Sequence, residues 1–288
     1  MKRLICFFAL TLILVVGSLL LVSPKTSAIT FGFVDSSNTF KNVGAFVVKS
    51  PTTGEIFPIC SGTMITANVF LTAAHCTAVY TQDFAREGFT AFVSLDQSIP
   101  FGSLTTNKTV LLPVAHVVTN PNFSPAQSDS GDIGVLILER NVRGVTPATL
   151  PVCNLLDQLV AQNGMKTAVF TNAGYGLQNR VVGGGVPFFQ DLNPIPRMFS
   201  FSSFNSLNGG YLRLSQNAST GNGGTCFGDS GGPNFLTVDG QQTIVAITIT
   251  GDTVCRSTNV DYRVDTVSAQ GFLAFVNAAF GTTIPISC

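Results

Sequence analysis

The residues best suited to chemistry lie near the C-terminal end, where residues 228–233 read Gly-Asp-Ser-Gly-Gly-Pro. A serine hydroxyl becomes a nucleophile only when a base removes its proton and nearby donors stabilise the oxyanion it creates. Glycines on both sides of Ser230 let the backbone turn tightly and approach a substrate carbonyl. The stretch therefore predicts Ser230 as a nucleophile, with the N–H groups of Gly228 and Ser230 as the oxyanion hole. Taken alone, it is equally typical of a surface turn.

Two further segments supply the partners that such a serine needs. His75 lies in Leu-Thr-Ala-Ala-His-Cys, residues 71–76, and Asp132 opens the apolar run at residues 133–138. A buried carboxylate at the head of a strand can hold an imidazole in the tautomer that deprotonates a serine. Asp129 is a rival acid, but it precedes Ser-Gly rather than an apolar run. Asp132 is therefore the preferred partner of His75.

Another class of hydrolase is excluded by the position of the histidines. Residues 228–232 also fit the Gly-x-Ser-x-Gly turn of α/β-hydrolases, in which an acid and then a histidine follow the serine. The chain has only two histidines, His75 and His116, and both precede Ser230. The α/β-hydrolase interpretation therefore lacks a base. His116 lies on an alternating strand pattern without a motif, which predicts a structural role.

Together the three motifs resemble those of the chymotrypsin-like (trypsin family) serine endopeptidases, in the family order His, Asp, Ser. The resemblance extends over nearly the whole chain after residue 28. It implies an all-β fold of two packed six-stranded antiparallel β-barrels with a C-terminal α-helix. The N-terminal barrel is expected in residues 29–150 and the C-terminal barrel in residues 151–288.

The resemblance also implies an activity, peptide-bond hydrolysis through an acyl-enzyme. Ser230 would be the nucleophile, His75 the general base and then acid, and Asp132 the group that orients and stabilises the imidazolium. No metal or organic cofactor is expected. The expected partners are polypeptide substrates and proteinaceous inhibitors, and the protein is expected to be a monomer. The alternative is a non-catalytic homologue that acts as a binding or regulatory module, although such proteins usually lose a triad member and all three residues are present here.

The rest of the sequence has the pattern of an all-β protein. Short runs of β-branched and aromatic residues recur between Gly, Pro and Asn, at residues 89–95, 109–118, 133–138, 166–170 and 243–250, which indicates barrels or sandwiches. The one convincing helix is the last, where Ser268 is the expected cap and apolar residues from Phe272 to Phe280 recur at helical spacing. Charged residues make up 10% of the chain and the formal net charge is zero. No basic field is present to attract nucleic acid.

The N-terminal segment predicts export. Residues 1–28 begin with Lys and Arg, continue in an apolar run and end with small residues at Thr26 and Ala28, the pattern of a secretory signal peptide. Cleavage after Ala28 would leave a secreted, extracellular protein without a membrane attachment. Since the apolar run approaches the length of a membrane span, roughly 20 residues, an uncleaved anchor is the alternative.

The cysteines fit the same compartment. Six of the seven lie beyond the signal segment, and an even number in an oxidising compartment favours disulfides, with free buried thiols as the alternative. The family resemblance implies the pairs Cys60–Cys76 and Cys226–Cys255, which leaves Cys153 and Cys288 for a third pair that departs from the commoner family pairings.

The resemblance further suggests how the site is completed and what it binds. Family members begin, once activated, with an Ile-led terminus whose ammonium pairs with the acid before the catalytic serine, so signal cleavage would itself pair Ile29 with Asp229. The residue six before the serine forms the floor of the specificity pocket, here Gly224, and an uncharged floor would leave a substrate cation unpaired. Gly251 is expected to pair with the substrate backbone, and Val260 to narrow a pocket wall. We therefore expect cleavage after small or medium apolar residues rather than Arg or Lys.

Overall fold

The computed structural model describes residues 29–102, 109–177, 180–181, 188–189 and 193–288. The expected signal peptide lies outside the described residues. Within these ranges, no helix is long and apolar enough to cross a membrane.

The described residues form short strands joined by turns, with three α-helices. The strands are β1 (Phe33–Val34), β2 (Val43–Lys49), β3 (Ile56–Met64), β4 (Val69–Thr72), β5 (Thr90–Ser94), β6 (Ser98–Ile99), β7 (Leu112–Thr119), β8 (Gly134–Leu138), β9 (Val169–Gly174), β10 (Arg180–Val181), β11 (Phe188–Phe189), β12 (Ile195–Pro196), β13 (Met198–Leu207), β14 (Tyr211–Ser215), β15 (Pro233–Val238), β16 (Gln241–Gly251) and β17 (Thr258–Arg263). The helices are α1 (Ala74–Val79), α2 (Leu155–Ala161) and α3 (Val267–Phe280).

Six antiparallel strands close the first barrel in the order β2, β3, β4, β8, β7 and β5. The residues of β2 from Val43 to Val48 are buried, and so is all of β8. Branched apolar side chains suit such a pleated surface that is covered on both faces. The interior side chains of this barrel belong to the largest apolar core of the described residues.

The second barrel contains β13, β14, β17, β16, β15 and β9, and it closes because β13 also pairs with β9. The long strand β13 makes this possible, since Met198–Ser203 pair with β9 while Ser203–Leu207 pair with β14. Strand β1 adds to the start of β13. The two closed barrels confirm the expected all-β, chymotrypsin-like architecture.

The last helix is present as expected, but its start differs from the sequence-based expectation. Helix α3 begins at Val267, and the Thr266 hydroxyl accepts a hydrogen bond from the Ala269 N–H at 3.1 Å. The prediction that Ser268 caps the helix was therefore wrong, because Ser268 lies inside the first turn. Thr266 has the extended backbone of an N-cap. The α3 side chains of Phe272, Leu273 and Val276 pack in the same core as the first barrel, while Phe275 is half exposed.

Two short helices and one short turn depart from the sequence pattern. Helices α1 and α2 have six and seven residues, too short to be stable without tertiary contacts. The first turn of α2 is held from far away in sequence, because the Leu156 N–H donates to the buried Asp265 carboxylate at 2.8 Å. The run expected as a strand at residues 166–170 begins in the 3-10 turn Gly164–Thr167, and the strand starts only at Val169.

Three disulfides connect the six cysteines of the described chain, as Cys60–Cys76, Cys153–Cys288 and Cys226–Cys255. The family resemblance implied Cys60–Cys76 and Cys226–Cys255, and Cys153–Cys288 is the pair that remained. The first ties β3 to α1, and the second ties the C-terminus to the segment before α2. Cross-links of this kind fit an oxidising compartment.

A buried arginine joins the two barrels. Arg197, just before β13, forms an ion pair with Asp35 at 2.8 Å, and both side chains are almost completely buried. Its guanidinium also donates to the carbonyls of Val43 and Leu95 in the first barrel, each at 3.1 Å. A buried charge is tolerated when its donors are used in this way. The contact links the two barrels, and the candidate site lies between them.

Candidate active site

The imidazole and its acid come together at the ends of two paired strands. Thr72 at the end of β4 pairs with Gly134 at the start of β8, so the residues just beyond this pair are neighbours. His75 lies in the first turn of α1, and its N–H donates to Asp132 Oδ1 at 2.9 Å. The ring Nδ1 lies 2.9 Å from Asp132 Oδ2. The Asp132 side chain is 9% exposed and that of His75 is 31% exposed, so the acid is buried while the ring reaches the surface.

The segment that carries Ser230 approaches this pair from the second barrel. Its carbonyl accepts from the Ser61 N–H at 2.9 Å, and a Cβ on Gly231 would lie 2.7 Å from Ala73 N. The segment at Ser230 therefore packs directly against the residues that precede His75. Within the described residues, the Ser230 hydroxyl makes no hydrogen bond to His75. Catalytic hydrogen bonds are often loose without substrate and tighten when it binds.

The two rival residues lie elsewhere. Asp129 accepts from the Tyr262 hydroxyl at 2.8 Å and from the Gly131 N–H at 3.1 Å, so its carboxylate is occupied away from His75. His116 stacks obliquely on Phe280, with ring centroids 5.0 Å apart. Of the two acids and two histidines that were compared, only Asp132 and His75 contact each other.

The turn around Ser230 leaves two amides available. The Asp229 N–H donates to the Cys226 carbonyl at 3.0 Å and the Gly231 N–H to the Thr248 carbonyl at 2.7 Å. Across the described ranges, the N–H groups of Gly228 and Ser230 have no acceptor. Gly228 has a φ of 95°, a left-handed conformation that favours glycine. The turn can therefore offer two amide donors to a developing oxyanion.

Asp229 is held inside the protein by backbone donors. Its carboxylate accepts from the N–H groups of Gly176 at 2.8 Å and Cys226 at 2.9 Å. Any side chain at Gly174 or Gly176 would collide with this carboxylate, which explains the Gly-Tyr-Gly turn. Burial raises the pKa of the Asp229 carboxyl to about 7, although the two N–H donors act in the opposite direction.

Ile29 is also buried, and it packs against Met198. The carbonyl of the next residue, Thr30, accepts from the Gly224 N–H at 2.9 Å. The segment that starts at Ile29 therefore lies against the loop that precedes Asp229. The contacts of the described residues do not include a bond between Ile29 and Asp229.

A cavity opens beside Ser230. It is lined by the Cys226–Cys255 disulfide, by Thr225 and Thr248, and by residues 249–253 at the end of β16. Gly251 is on this lining, as the sequence suggested. Gly224, the expected floor, is not among the lining residues, and the side chain of Gln216 fills the space that a Gly224 side chain would take. No motif marks Gln216, and the sequence analysis missed it.

Val260 is not part of that cavity. It lines an adjoining groove together with His75, Phe123, Tyr211 and Ile249. Val260 was expected to narrow the pocket beside Ser230, but it lies in the adjoining groove instead. Strand β17 pairs Val260 with Thr250 next to a bulge in β16, and Thr250 lines the same groove.

The site offers little to a metal ion. Cys60, His75 and Cys76 are the one close group of three potential ligand residues found in the part of the chain that the structure describes. Their two sulfurs are bonded to each other, and the His75 Nδ1 contacts Asp132. One ring nitrogen remains, which suits proton transfer rather than coordination.

Comparison with known proteins agrees with this geometry. The family model described as Trypsin matches residues 33–270, most of the chain and both barrels. The comparison with curated proteins returns no significant match. Since the family match includes the segments that carry His75, Asp132 and Ser230, the chain belongs to the trypsin family of serine peptidases.

Proposed function

We propose that this chain is a secreted serine endopeptidase that hydrolyses peptide bonds through an acyl-enzyme. The observation that carries the proposal is the contact of His75 with Asp132 beside the segment that carries Ser230, next to a cavity and two unbonded amides. None of these groups alone would indicate a particular reaction. Together they match what acyl transfer requires: a nucleophile, an oriented base and donors for the oxyanion.

The residues share the steps of the reaction as follows. The His75 Nε2 takes the proton of the Ser230 hydroxyl as the oxygen attacks the scissile carbonyl, and later gives a proton to the leaving amine. The Asp132 carboxylate holds Nδ1 as a donor and stabilises the imidazolium. The N–H groups of Gly228 and Ser230 bind the carbonyl oxygen as it becomes negative. Water then releases the acyl group by the same steps.

The cavity favours an uncharged substrate side chain. The acid on the cavity lining is Asp252. Its carboxylate accepts hydrogen bonds from the N–H groups of Arg256, Ser257 and Thr258 at 2.8–3.3 Å. Burial alone would raise the pKa of Asp252, but these donors outweigh it and lower the pKa. That carboxylate serves its own loop rather than a substrate. We therefore expect weak cleavage after Arg or Lys, and Gly251 is the expected partner of the substrate backbone.

Export and activation are part of the proposal. We infer that cleavage after Ala28 releases an Ile29 ammonium that pairs with Asp229. The buried Asp229 carboxylate lacks a cationic partner among the described residues, and such a partner would favour its charged form. The three disulfides agree with an extracellular destination.

This activation step predicts a pH dependence of stability. When a short extension precedes Ile29, Asp229 keeps its proton up to a pH of about 7 in the folded chain, whereas an unfolded Asp loses it near 3.8. Because the folded state binds the extra proton in this window, the free energy of unfolding falls as pH rises from 4 to 7, by at most about 4 kcal/mol. We expect Asp229→Asn to remove this fall in denaturant unfolding at pH 4.5 and 7.5.

The chain that starts at Ile29 is the matched comparison. Its ammonium would lower the pKa of Asp229, so the loss of stability towards neutral pH should shrink. Equal pH dependence for the extended chain and its Asp229→Asn variant would contradict the buried protonated carboxyl. Equal behaviour of the extended and the cleaved chains would contradict the ion pair.

Active-site labelling tests the function itself. A fluorophosphonate reacts only with an activated serine, so we expect one adduct in the intact mass of the secreted protein and none for Ser230→Ala. The same spectrum reports whether the chain starts at Ile29. A folded protein that starts at Ile29 and takes no adduct would favour the non-catalytic homologue. An unlabelled chain with a different start would indicate a precursor.

A further inference from the structure

The groove that contains His75 adjoins the cavity beside Ser230. Ile249 and Thr250 line both of them, so the end of β16 lies between the cavity and the groove. A substrate that pairs with this end of β16 is extended, and its successive side chains point to opposite sides. When the residue before the cut bond fills the cavity, the second and fourth residues before that bond therefore face the groove.

Arg213 lies in the middle of β14 and lines the same groove. Its neighbours Leu212 and Leu214 are buried in an apolar core on the opposite face of the strand. Tyr211, two residues before Arg213 and so on its face, also lines the groove. The Arg213 side chain is therefore on the groove side of the sheet, where it is half-buried.

Strand pairing connects Arg213 to the end of β16. Arg213 pairs with Val260 of β17, and Val260 pairs with Thr250 of β16. All three residues line the groove. Since neighbouring strands lie about 4.8 Å apart, the backbone of Arg213 is roughly 10 Å from that of Thr250. The long side chains of an arginine and of a substrate glutamate can together bridge a groove of this width.

The Arg213 guanidinium has no acidic partner. Within the described ranges it makes neither an ion pair nor a hydrogen bond, and its Cζ lies 5.9 Å from the centre of the Tyr211 ring. The other ionisable pair on the lining, His75 and Asp132, is bonded to itself, and Asp129 is bonded to other groups. A guanidinium that lies against an aromatic face keeps the N–H groups at its edge free for an anion.

We propose, on the basis of the proposed peptidase function, that Arg213 is a specificity-determining residue and that the groove takes an acidic side chain. The Glu or Asp would be the second or the fourth residue before the cut bond. Its carboxylate would accept hydrogen bonds from two guanidinium N–H groups, the geometry in which arginine binds a carboxylate most strongly. The CH2 groups of a Glu would pack on the apolar lining of Phe123, Ile249 and Val260.

Other side chains fit the groove less well. Lys or Arg would be repelled by Arg213, and the one acid of the lining, Asp132, is already bound to His75. An apolar side chain would cover the Arg213 guanidinium without pairing its charge, which is unfavourable. Gln has the shape of Glu but lacks the charge, so a comparison of Glu with Gln isolates the electrostatic contribution.

The test uses reporter peptides that carry Glu or Gln at the second, third or fourth position before the cut bond. For the wild-type protein we expect kcat/KM to be higher for Glu by roughly three- to tenfold at the second or the fourth position, between the value of an exposed ion pair and that of a charge-assisted hydrogen bond. The third residue faces away from the groove, so its ratio should be close to unity. The preference should fade in about 1 M salt, which screens a half-exposed pair. A preference that salt leaves unchanged would contradict the ion pair.

Two substitutions locate the preference at Arg213. Arg213→Gln should bring the Glu-to-Gln ratio close to unity, and Arg213→Glu should reverse the charge preference, so that Lys is favoured over Gln at the same position. Arg143→Glu makes the same charge change at an exposed position beyond the far end of β8 and should keep the wild-type ratio. Circular dichroism and Tm control for folding. If Arg213→Glu does not fold, an unchanged ratio in folded Arg213→Gln still overturns the proposal.

The remaining outcomes distinguish this proposal from a structural role and from failure of the peptidase function. A structural Arg213 would give a lower Tm and equal losses for the Glu and Gln peptides when it is replaced. Labelling of Ser230 by the fluorophosphonate without a preference for Glu would overturn the role of Arg213 and leave the peptidase function standing. Absence of labelling would reject the peptidase function. The groove is then tested by the affinity of the same peptides for the folded Ser230→Ala protein, and equal affinities for Glu and Gln peptides would overturn the inference.

Discussion

Replacing Ser230 by Ala is expected to lower kcat/KM on any cleaved peptide by about 10⁴–10⁶-fold. The reason is that the acyl-enzyme cannot form, and only the oxyanion donors and the binding surfaces remain. His75→Ala should have a similar effect, because without the base the Ser230 hydroxyl keeps its proton. The double variant should be little worse than either single variant, since the two residues act as a unit.

The non-additivity is the decisive part of this experiment. Initial rates on one reporter peptide, measured for the wild type, both single variants and the double variant, give the coupling directly. Losses that multiply in the double variant would show that Ser230 and His75 act independently, which would contradict the triad. Circular dichroism and Tm of the four proteins control for folding.

Asp132→Asn is expected to lower kcat by about 10⁴-fold while the protein remains folded. In the present structure Asp132 accepts from His75 twice, through the backbone N–H and through Nδ1, each at 2.9 Å. An amide nitrogen facing Nδ1 would turn that ring atom into an acceptor. The proton would then sit on Nε2, and His75 could not take the proton of Ser230. The pH–rate profile and the Tm should be measured together.

Asp129→Asn is the matched control for this change. Asp129 lies three residues earlier, has the same side chain and bonds to Tyr262 rather than to His75. Its replacement should leave kcat/KM within a few-fold of the wild type. If Asp129→Asn were the damaging substitution and Asp132→Asn the mild one, the assignment of the catalytic acid would be wrong.

The sequence by itself was enough to predict the family, the two-barrel fold and the candidate catalytic residues. These depend on local patterns: a glycine-flanked serine, a histidine after small residues, and an acid that opens a buried strand. Each pattern encodes a local conformation, and the resemblance to the trypsin family implies that the three segments meet. Two of the disulfide pairs followed from the resemblance to the trypsin family, and the third was the pair that remained.

Only the tertiary structure decided what surrounds those residues. The side chain of Gln216, just beyond β14, occupies the space that a Gly224 side chain would take, and no spacing in the sequence encodes that approach. Val260 lines the groove that contains His75, where it pairs with Thr250 beside a bulge in β16. The cap of α3 and the start of α2 likewise depend on hydrogen bonds to particular side chains. A catalytic motif is local, whereas a pocket is formed by several strands that are distant in sequence, so its chemistry emerges only when they pack together.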